Sequence, residues 1–534
     1  MRPLSACIAC RDRRKKCNRS RPGLSCKFCI RRGLTCIASV NDTPAVPRAT
    51  VHDYQPLDVG IQESNSRQLS SLLVPDEDLS LELVELYFRY AHIAFHNLFH
   101  RPTFIARVKD RTISRALLFG VASLSARYSE HPVFASIPPW DRGRPYRDET
   151  KRLLDLERTC LTSIQICALL AASSSVEGDP KTESVYQAIA FRMAILLDLP
   201  NVSTISLLER EINRRVWWSL IAMETWASAS HALPRFIKPR DDVPLPMEEL
   251  KFLALTYEDP IPGHELESSA SHDELSRSIV AQMVRLNILL YDVIVFNTLV
   301  VQQKFANGAD FARTHELALS LDQWTHNMSP DFTYSAENVA LWTGAGLGPM
   351  FVILHINYNY TGQLLFYQYL HAARDVVDGV ASADAAVFFA ERCKQHATKL
   401  CDIIYDANQN PDIAIMYPLA GHILCLASTV QIHTLLFSDD EDQIQAAKVR
   451  LERNFELISS MNNFWPMSHK SVSRLELFHS TCLKSKDDSF HLDAWLLRFL
   501  LGFTQDLGER DAVASEDAFG SPREFDALCD LLDL

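Results

Sequence analysis

Six cysteines near the start of the chain constrain its fold more than any other feature. Cys7, Cys10, Cys17, Cys26, Cys29 and Cys36 follow the spacing C-x2-C-x6-C-x8-C-x2-C-x6-C, a half-unit used twice: CIACRDRRKKC, then CKFCIRRGLTC. A C-x2-C pair brings two sulfurs onto one tetrahedral metal, because the turn between them is the shortest that lets both thiolates converge. The third cysteine of each half lies about two helical turns further on, so a short helix can swing it back to the metal. One zinc needs four ligands and leaves two cysteines over, while two separate sites need eight. Two zincs with two bridging thiolates use all six, and thiolate selects zinc over harder ions. The competing reading is a disulfide scaffold. Against it, the start MRPLSACIACR has no apolar h-region of a secretory signal. The other cysteines (Cys160, Cys167, Cys393, Cys401, Cys425, Cys482, Cys529) are scattered and read as free thiols of a reducing compartment.

The residues around these cysteines indicate a partner. Residues 1–38 carry eleven Lys/Arg against one acid, Asp12, a balance of +10; the whole chain is −13, which leaves −23 for the rest. A small basic head on an acidic body is the charge pattern of a nucleic-acid binder, since phosphate neutralisation supplies most non-specific affinity. The run Arg13–Lys16 also has the composition of a nuclear localisation signal. A zinc module that docks a protein is the alternative for this head.

The six cysteines, both spacings, the basic run before Cys17 and Pro22 in the connecting loop resemble the fungal binuclear zinc-cluster DNA-binding domain. The resemblance implies that Cys7 and Cys26 bridge two zinc ions, with Cys10 and Cys17 completing one site and Cys29 and Cys36 the other. It also implies that the first short helix enters the DNA major groove at a GC-rich, CGG-like triplet. Arg13 and Arg14 match the positions that reach base edges, where an Arg fork bonds guanine O6 and N7 together. Many relatives carry Lys there. Arg11, Lys15, Lys16, Arg19 and Arg21 complete the DNA-binding set, the last four as phosphate contacts.

At 534 residues and 47% apolar, the chain has material for a large core beyond the zinc module. No uninterrupted apolar run reaches the roughly 18 residues of a membrane span; Val293–Val301 is flanked by Asp292 and broken by Asn297, and reads as a buried helix. No membrane partner is expected. Residues 39–77, with Pro44, Pro47, Pro56 and Pro75, form a linker without heptads. A homodimer formed through the large domain and monomeric DNA binding are both left open.

From residue 78 to 505 the pattern is helical. Val84, Tyr87, Phe88, Ala91 and Phe95 keep the spacing of one buried face. Ser206 and Glu209 make a capping box ahead of a long helix. Helical periodicity recurs over 111–128, 160–173, 182–197, 209–231, 278–304, 346–372, 383–408, 413–436, 441–460 and 488–505, and strand alternation is scarce. The expected fold is mainly α: a small zinc-cluster module and a large all-helical regulatory domain. This region resembles the "middle homology" domain of the same family at Leu86-Tyr-Phe88, His100-Arg-Pro-Thr-Phe104, Phe191-Arg-Met-Ala194, Glu211-Ile-Asn-Arg-Arg-Val-Trp-Trp218 and Arg240-Asp-Asp-Val-Pro-Leu-Pro246. Glu224 stands where the family usually has Asp, and Ala232-Leu-Pro234 where Gly-Arg-Pro is common. Trp217 and Trp218 read as core aromatics, with a small-molecule pocket as the alternative setting for one of them.

Residues 506–534 are an acidic tail. Phe525, Leu528, Leu531 and Leu532 fall on one side of a helix among carboxylates, the composition of an activation segment that offers apolar groups to the transcription machinery. The plainer alternative is a terminal helix packed on the body. No H-E-x-x-H, G-x-S-x-G or P-loop occurs, so no catalytic residue is assigned. Gly344-Ala-Gly-Leu-Gly348 lacks a preceding strand and reads as a loop. His92, His96 and His100, spaced i, i+4, i+8, read as partly buried residues of the first helix of the body. Asp439-Asp-Glu-Asp442 reads as a helix N-terminus. The sequence as a whole reads as a nuclear, zinc-dependent, sequence-specific transcription factor. It fits an activator of a metabolic or secondary-metabolite gene cluster transcribed by RNA polymerase II, with a repressor or a zinc-module interaction protein as alternatives.

Overall fold

The computed structural model describes residues 75–510, apart from 93–96, 234, 262–276, 304–308, 373–379 and 487. The described residues form helices and turns, with no strand among them. In chain order the helices are α1 (Glu77–Tyr90), α2 (Arg101–Lys109), α3 (Arg115–Ser125), α4 (Arg144–Leu153), α5 (Leu161–Val176), α6 (Pro180–Leu196), α7 (Leu207–His231), α8 (Glu249–Ala254) and α9 (Ile279–Val301). They continue with α10 (Ala309–His326), α11 (Ala336–Gly344), α12 (Gly348–Phe366), α13 (Tyr369–Ala372), α14 (Val380–Asn408), α15 (Pro418–Phe437), α16 (Glu441–Met461), α17 (Ser468–Lys484) and α18 (Ala494–Leu501).

The starts of these helices follow from local chemistry. The first N–H groups of a helix lack intrahelical acceptors, and a Ser or Asp side chain supplies one. Asp76 accepts from Leu79 N at 2.8 Å to open α1. Ser206 accepts from Glu209 N at 3.2 Å to open α7. The Glu209 carboxylate reaches back to the N–H of Ile205 at 3.2 Å, one residue before the position a standard capping box uses. Asp440 caps α16 through Asp442 N and Gln443 N, as the acidic run Asp439–Asp442 predicts. The end of α7 is less usual. Ala232 closes it at φ 53°, ψ 39°, the left-handed region that favours glycine. Glycine is what the resembling family often carries there.

Two large hydrophobic cores, and a smaller cluster around Phe119, Phe134 and Tyr146, organise the body. The first gathers α1, α2, α3, α5, α6 and α7, with Tyr87, Leu169, Phe191, Val216 and Ile221 at its centre. The second gathers α9 to α18 around Phe351, Leu364, Ile404, Leu424 and Leu496. Val84, Tyr87, Phe88 and Ala91 are all buried, the face that their spacing predicts; Phe95 lies outside the described residues. At the α12–α14 crossing, any Cβ on Gly362 would run into the His396 ring, so the close approach depends on glycine. Helices α9 and α15 are long and apolar enough to span a bilayer, yet most of each is buried inside the body. They are core helices, as the reading of Val293–Val301 expects.

Some expectations change. The three-histidine series does not lie on one helix: α1 ends at Tyr90, and His100 occupies the N-cap position of α2. Pro102 in the first turn of α2 sets that new start. His92 and His100 are both buried, and His96 lies outside the described residues. The expected helix over 488–505 is shorter, running only from Ala494 to Leu501 after Asp493 caps it through Leu496 N at 2.8 Å. Helices α2, α4, α8, α10, α11 and α17 lie outside the segments of helical periodicity.

Candidate functional site

The cysteines expected to hold zinc (Cys7, Cys10, Cys17, Cys26, Cys29 and Cys36), the basic residues 11–21 and the tail residues 525–532 all lie outside the described residues. Within the body, the motifs that carry the family resemblance converge around α7. Arg215 is the hub. Its Nε donates to Glu211 Oε1 at 2.9 Å, and its guanidinium reaches the carbonyl of Met247 at 2.6 Å. The same guanidinium lies 3.6 Å from Glu249 Oε1 and sits over the Phe252 ring at 4.0 Å. Glu211, Arg215 and Glu249 are all buried.

Glu249 extends this network into the next helix. It accepts from the first backbone N–H groups of α9, Ile279 at 2.7 Å and Val280 at 3.1 Å, and from Ser278 Oγ at 3.1 Å. Burial raises its pKa; Arg215 and the two N–H groups pull it back down. One carboxylate thus ties α8 to both α7 and α9. Trp218 adds a second tie, donating its indole N–H to the carbonyl of Pro244 at 2.9 Å. The segments Glu211–Trp218 and Arg240–Pro246 therefore form one unit. Arg240 closes its edge, with ion pairs to Asp198 at 2.6 Å and to Asp242 at 2.6 Å. Glu224 is buried two turns from the end of α7 and accepts from the backbone N–H of Phe236; burial raises its pKa.

A cavity of about 130 Å³ lies where α5, α6 and α7 of the first core face α9 and α12 of the second. Trp218, Met223, Trp226 and Met283 wall it, and Glu183, Gln187 and Asn357 supply polar groups. Trp218 thus joins both settings weighed for it, buried at 4% exposure and lining a pocket. Trp217 is a core residue. A second cavity, of about 520 Å³, lies beside α1 and α8. Its charges are already paired: Arg101 with Glu85 at 2.6 Å, Arg89 with Asp412 at 3.8 Å and Arg215 with Glu249. Among the described residues, no group of three or more His, Cys, Asp and Glu could hold a metal. Cys160, Cys167, Cys393, Cys401, Cys425 and Cys482 are unbridged.

Residues 506–510, which open the acidic stretch, are anchored on the body. Glu509 pairs with Lys484 at 2.7 Å and Arg510 with Asp493 at 2.7 Å, while Trp495 donates its indole N–H to the carbonyl of Gly508 at 2.8 Å.

Comparison with known proteins places both parts of the chain. Residues 5–44 match the fungal Zn(2)-Cys(6) binuclear cluster domain, and residues 84–326 match the fungal specific transcription factor domain. The chain belongs to the fungal zinc-cluster transcription factor family. The second match spans most of the first core together with α9 and α10, so this zinc-cluster protein carries the family's helical domain and further helices after it. The matched families are those of transcription factors, not enzymes. An uncharacterized transcriptional regulatory protein of Schizosaccharomyces pombe is 32% identical over 196 residues, 34% of this chain and 20% of the relative. A Zn(2)-C6 fungal-type transcription factor of Fusarium oxysporum f. sp. lycopersici is 22% identical over 465 residues, 79% of this chain and 48% of the relative. A further uncharacterized transcriptional regulatory protein of S. pombe is 21% identical over 432 residues, 74% of this chain and 51% of the relative. The zinc-cluster protein therefore spans about half, or less, of the length of these curated relatives. A domain of the Zn(2)-Cys(6) type implies zinc binding, and a donor set of six thiolates suits that ion.

Sequence reading did not find Glu183, Gln187, Asn357 or the Arg215–Glu249 tie. A signal was present in part: Glu183 and Gln187 are polar residues one helical turn apart and so share a face of α6. Their burial depends on helices more than 30 residues away in the chain.

Proposed function

We propose that this chain is a nuclear, sequence-specific DNA-binding transcription regulator whose zinc-held head reads a GC-rich, CGG-like triplet. The observation that carries the reading is the doubled six-cysteine spacing, matched to the Zn(2)-Cys(6) domain and set in a segment of side-chain charge +10, from eleven Lys/Arg against Asp12. In this reading all six cysteines hold two zinc ions, Cys7 and Cys26 bridging them. Arg13 and Arg14 read bases, and Arg11, Lys15, Lys16, Arg19 and Arg21 hold the backbone. The domain limits follow: 1–38 the head, 39–77 the linker, 78–505 the regulatory body, 506–534 the acidic tail. Replacing Arg13 and Arg14 by Ala is expected to cost about 1–3 kcal/mol at each contacted base and to relax specificity. Binding measured on the selected duplex and on scrambled DNA checks it. Equal loss on both duplexes assigns the pair to phosphate contacts instead.

The protein acts as an activator in this reading, with a metabolic or secondary-metabolite gene cluster as target. Phe525, Leu528, Leu531 and Leu532 carry the contact with the transcription machinery. Deleting residues 520–534 is expected to lower output from a promoter-fused reporter several-fold at unchanged DNA affinity. Unchanged output removes the tail from the mechanism.

A further inference from the structure

The cavity between the two cores is lined by a buried acid, one of whose carboxylate oxygens accepts no hydrogen bond. Glu183 sits in the first turn of α6 at 5% exposure. Its Oε1 accepts from Gln187 Nε2 at 3.3 Å. Its Oε2 receives no hydrogen bond. The nearest partner is His231 Nε2 at 3.4 Å, out of hydrogen-bonding alignment, and the other nitrogen of that ring is engaged by Ser184 Oγ at 2.9 Å. A buried carboxylate oxygen without a donor is costly, and such groups in native proteins call for a ligand, ion or water to complete them.

The rest of the cavity describes what would complete it. Trp218 and Trp226 supply aromatic walls, and Met223, Met283 and Met467 supply adaptable apolar ones. Trp226 is held in place: its ring stacks on Tyr360 at 5.2 Å, and its indole N–H donates to Asn287 Oδ1 at 3.1 Å. Asn287 in turn donates to the carbonyl of Met283 at 3.0 Å, so the far wall is rigid before any ligand arrives. The volume of about 130 Å³ is close to that of a cavity known to accept benzene, roughly 150 Å³. Aromatic faces favour a cation as well as a ring, and Glu183 is the carboxylate among the residues that line the cavity. The larger cavity beside α8 offers no such opening, because its charged groups already pair with one another.

We infer that this cavity is a binding site for a small aromatic amine, its ring between Trp218, Trp226 and the methionines and its ammonium group on Glu183. The site belongs to the helical body alone and does not depend on the DNA reading proposed above. Its ligand would touch both cores at once, since α6 and α7 belong to one and α12 to the other.

The test uses the full-length zinc-loaded protein and three matched probes: 2-phenylethylamine, 2-phenylethanol and phenylacetate, each titrated by calorimetry. A charge-assisted hydrogen bond predicts that the amine binds roughly tenfold or more tightly than the alcohol, with the carboxylate weakest. Glu183→Gln should bring the amine to the level of the alcohol. Ala222→Leu, which adds bulk from a half-buried cavity-lining position on α7, should weaken amine and alcohol together. Absence of saturable amine binding to the unsubstituted protein overturns the proposal. So does an amine preference that survives Glu183→Gln, or amine affinity unchanged by Ala222→Leu should Glu183→Gln fail to fold.

Discussion

Replacing Cys10 by Ser, or stripping the metal with a chelator, is expected to lower affinity for the cognate duplex by at least about a thousandfold. For a small metal-held module the binding free energy of the metal is largely the folding free energy, because no preformed site exists in the unfolded segment. The head has little else to rely on: residues 7–36 are dominated by Cys, Arg and Lys, with few large apolar side chains. Loss of the folded head removes the base contacts and leaves a basic tether, and specific binding typically exceeds non-specific binding by about a thousandfold or more. The body should keep its fold, since its described cores have their own buried apolar residues. Gel-shift titrations against cognate and scrambled duplex, with circular dichroism of the same samples, separate the two outcomes. Full specific affinity in the zinc-free protein contradicts the assignment of these cysteines.

The second large effect lies in the body. Arg215→Ala should destabilise it by about 3–5 kcal/mol, the usual cost of removing one partner from a buried ion pair. The reason is local. Glu211 and Glu249 are both at or near zero exposure, and Arg215 is the cation that meets both. Without it Glu249 keeps the N–H groups of Ile279 and Val280 but loses its counter-charge, and the carbonyl of Met247 keeps only the Ser278 hydroxyl as donor. Glu209→Ala is the control on the same helix. Its carboxylate makes only an exposed capping contact, so the expected cost is about 1 kcal/mol or less. Urea midpoints of the two variants measure the contrast. Similar small shifts for both would mean that solvent or rearrangement compensates the buried carboxylates.

These contrasts show which parts of the molecule the sequence exposes. Local chemistry is legible: the six-cysteine spacing, the Ser206/Glu209 cap and the Asp440 helix start each depend on residues within a few positions of one another. Apolar periodicity is legible where the buried face is all apolar, as for Val84, Tyr87, Phe88 and Ala91. It fails for α10 and α17, whose buried faces include Thr314 and Arg474. Arg474 is 4% exposed and spends its guanidinium on the carbonyl of Arg498 at 3.1 Å, a partner that periodicity cannot reveal. It also fails at His100, where the regular i, i+4 spacing suggests one helix but Pro102 starts a new one. The Glu249 tie and the inter-core cavity were not legible for the same reason. Each joins residues from segments far apart in the chain.

Selection of bound sequences from random duplex DNA by the full-length protein, run with and without a zinc chelator, asks whether the zinc-held head reads bases. The predicted result is zinc-dependent enrichment of a CGG-like triplet, with the spacing of any repeated triplet reporting monomer or dimer binding. A zinc-loaded protein that enriches no sequence, or the same enrichment with the chelator present, would contradict it.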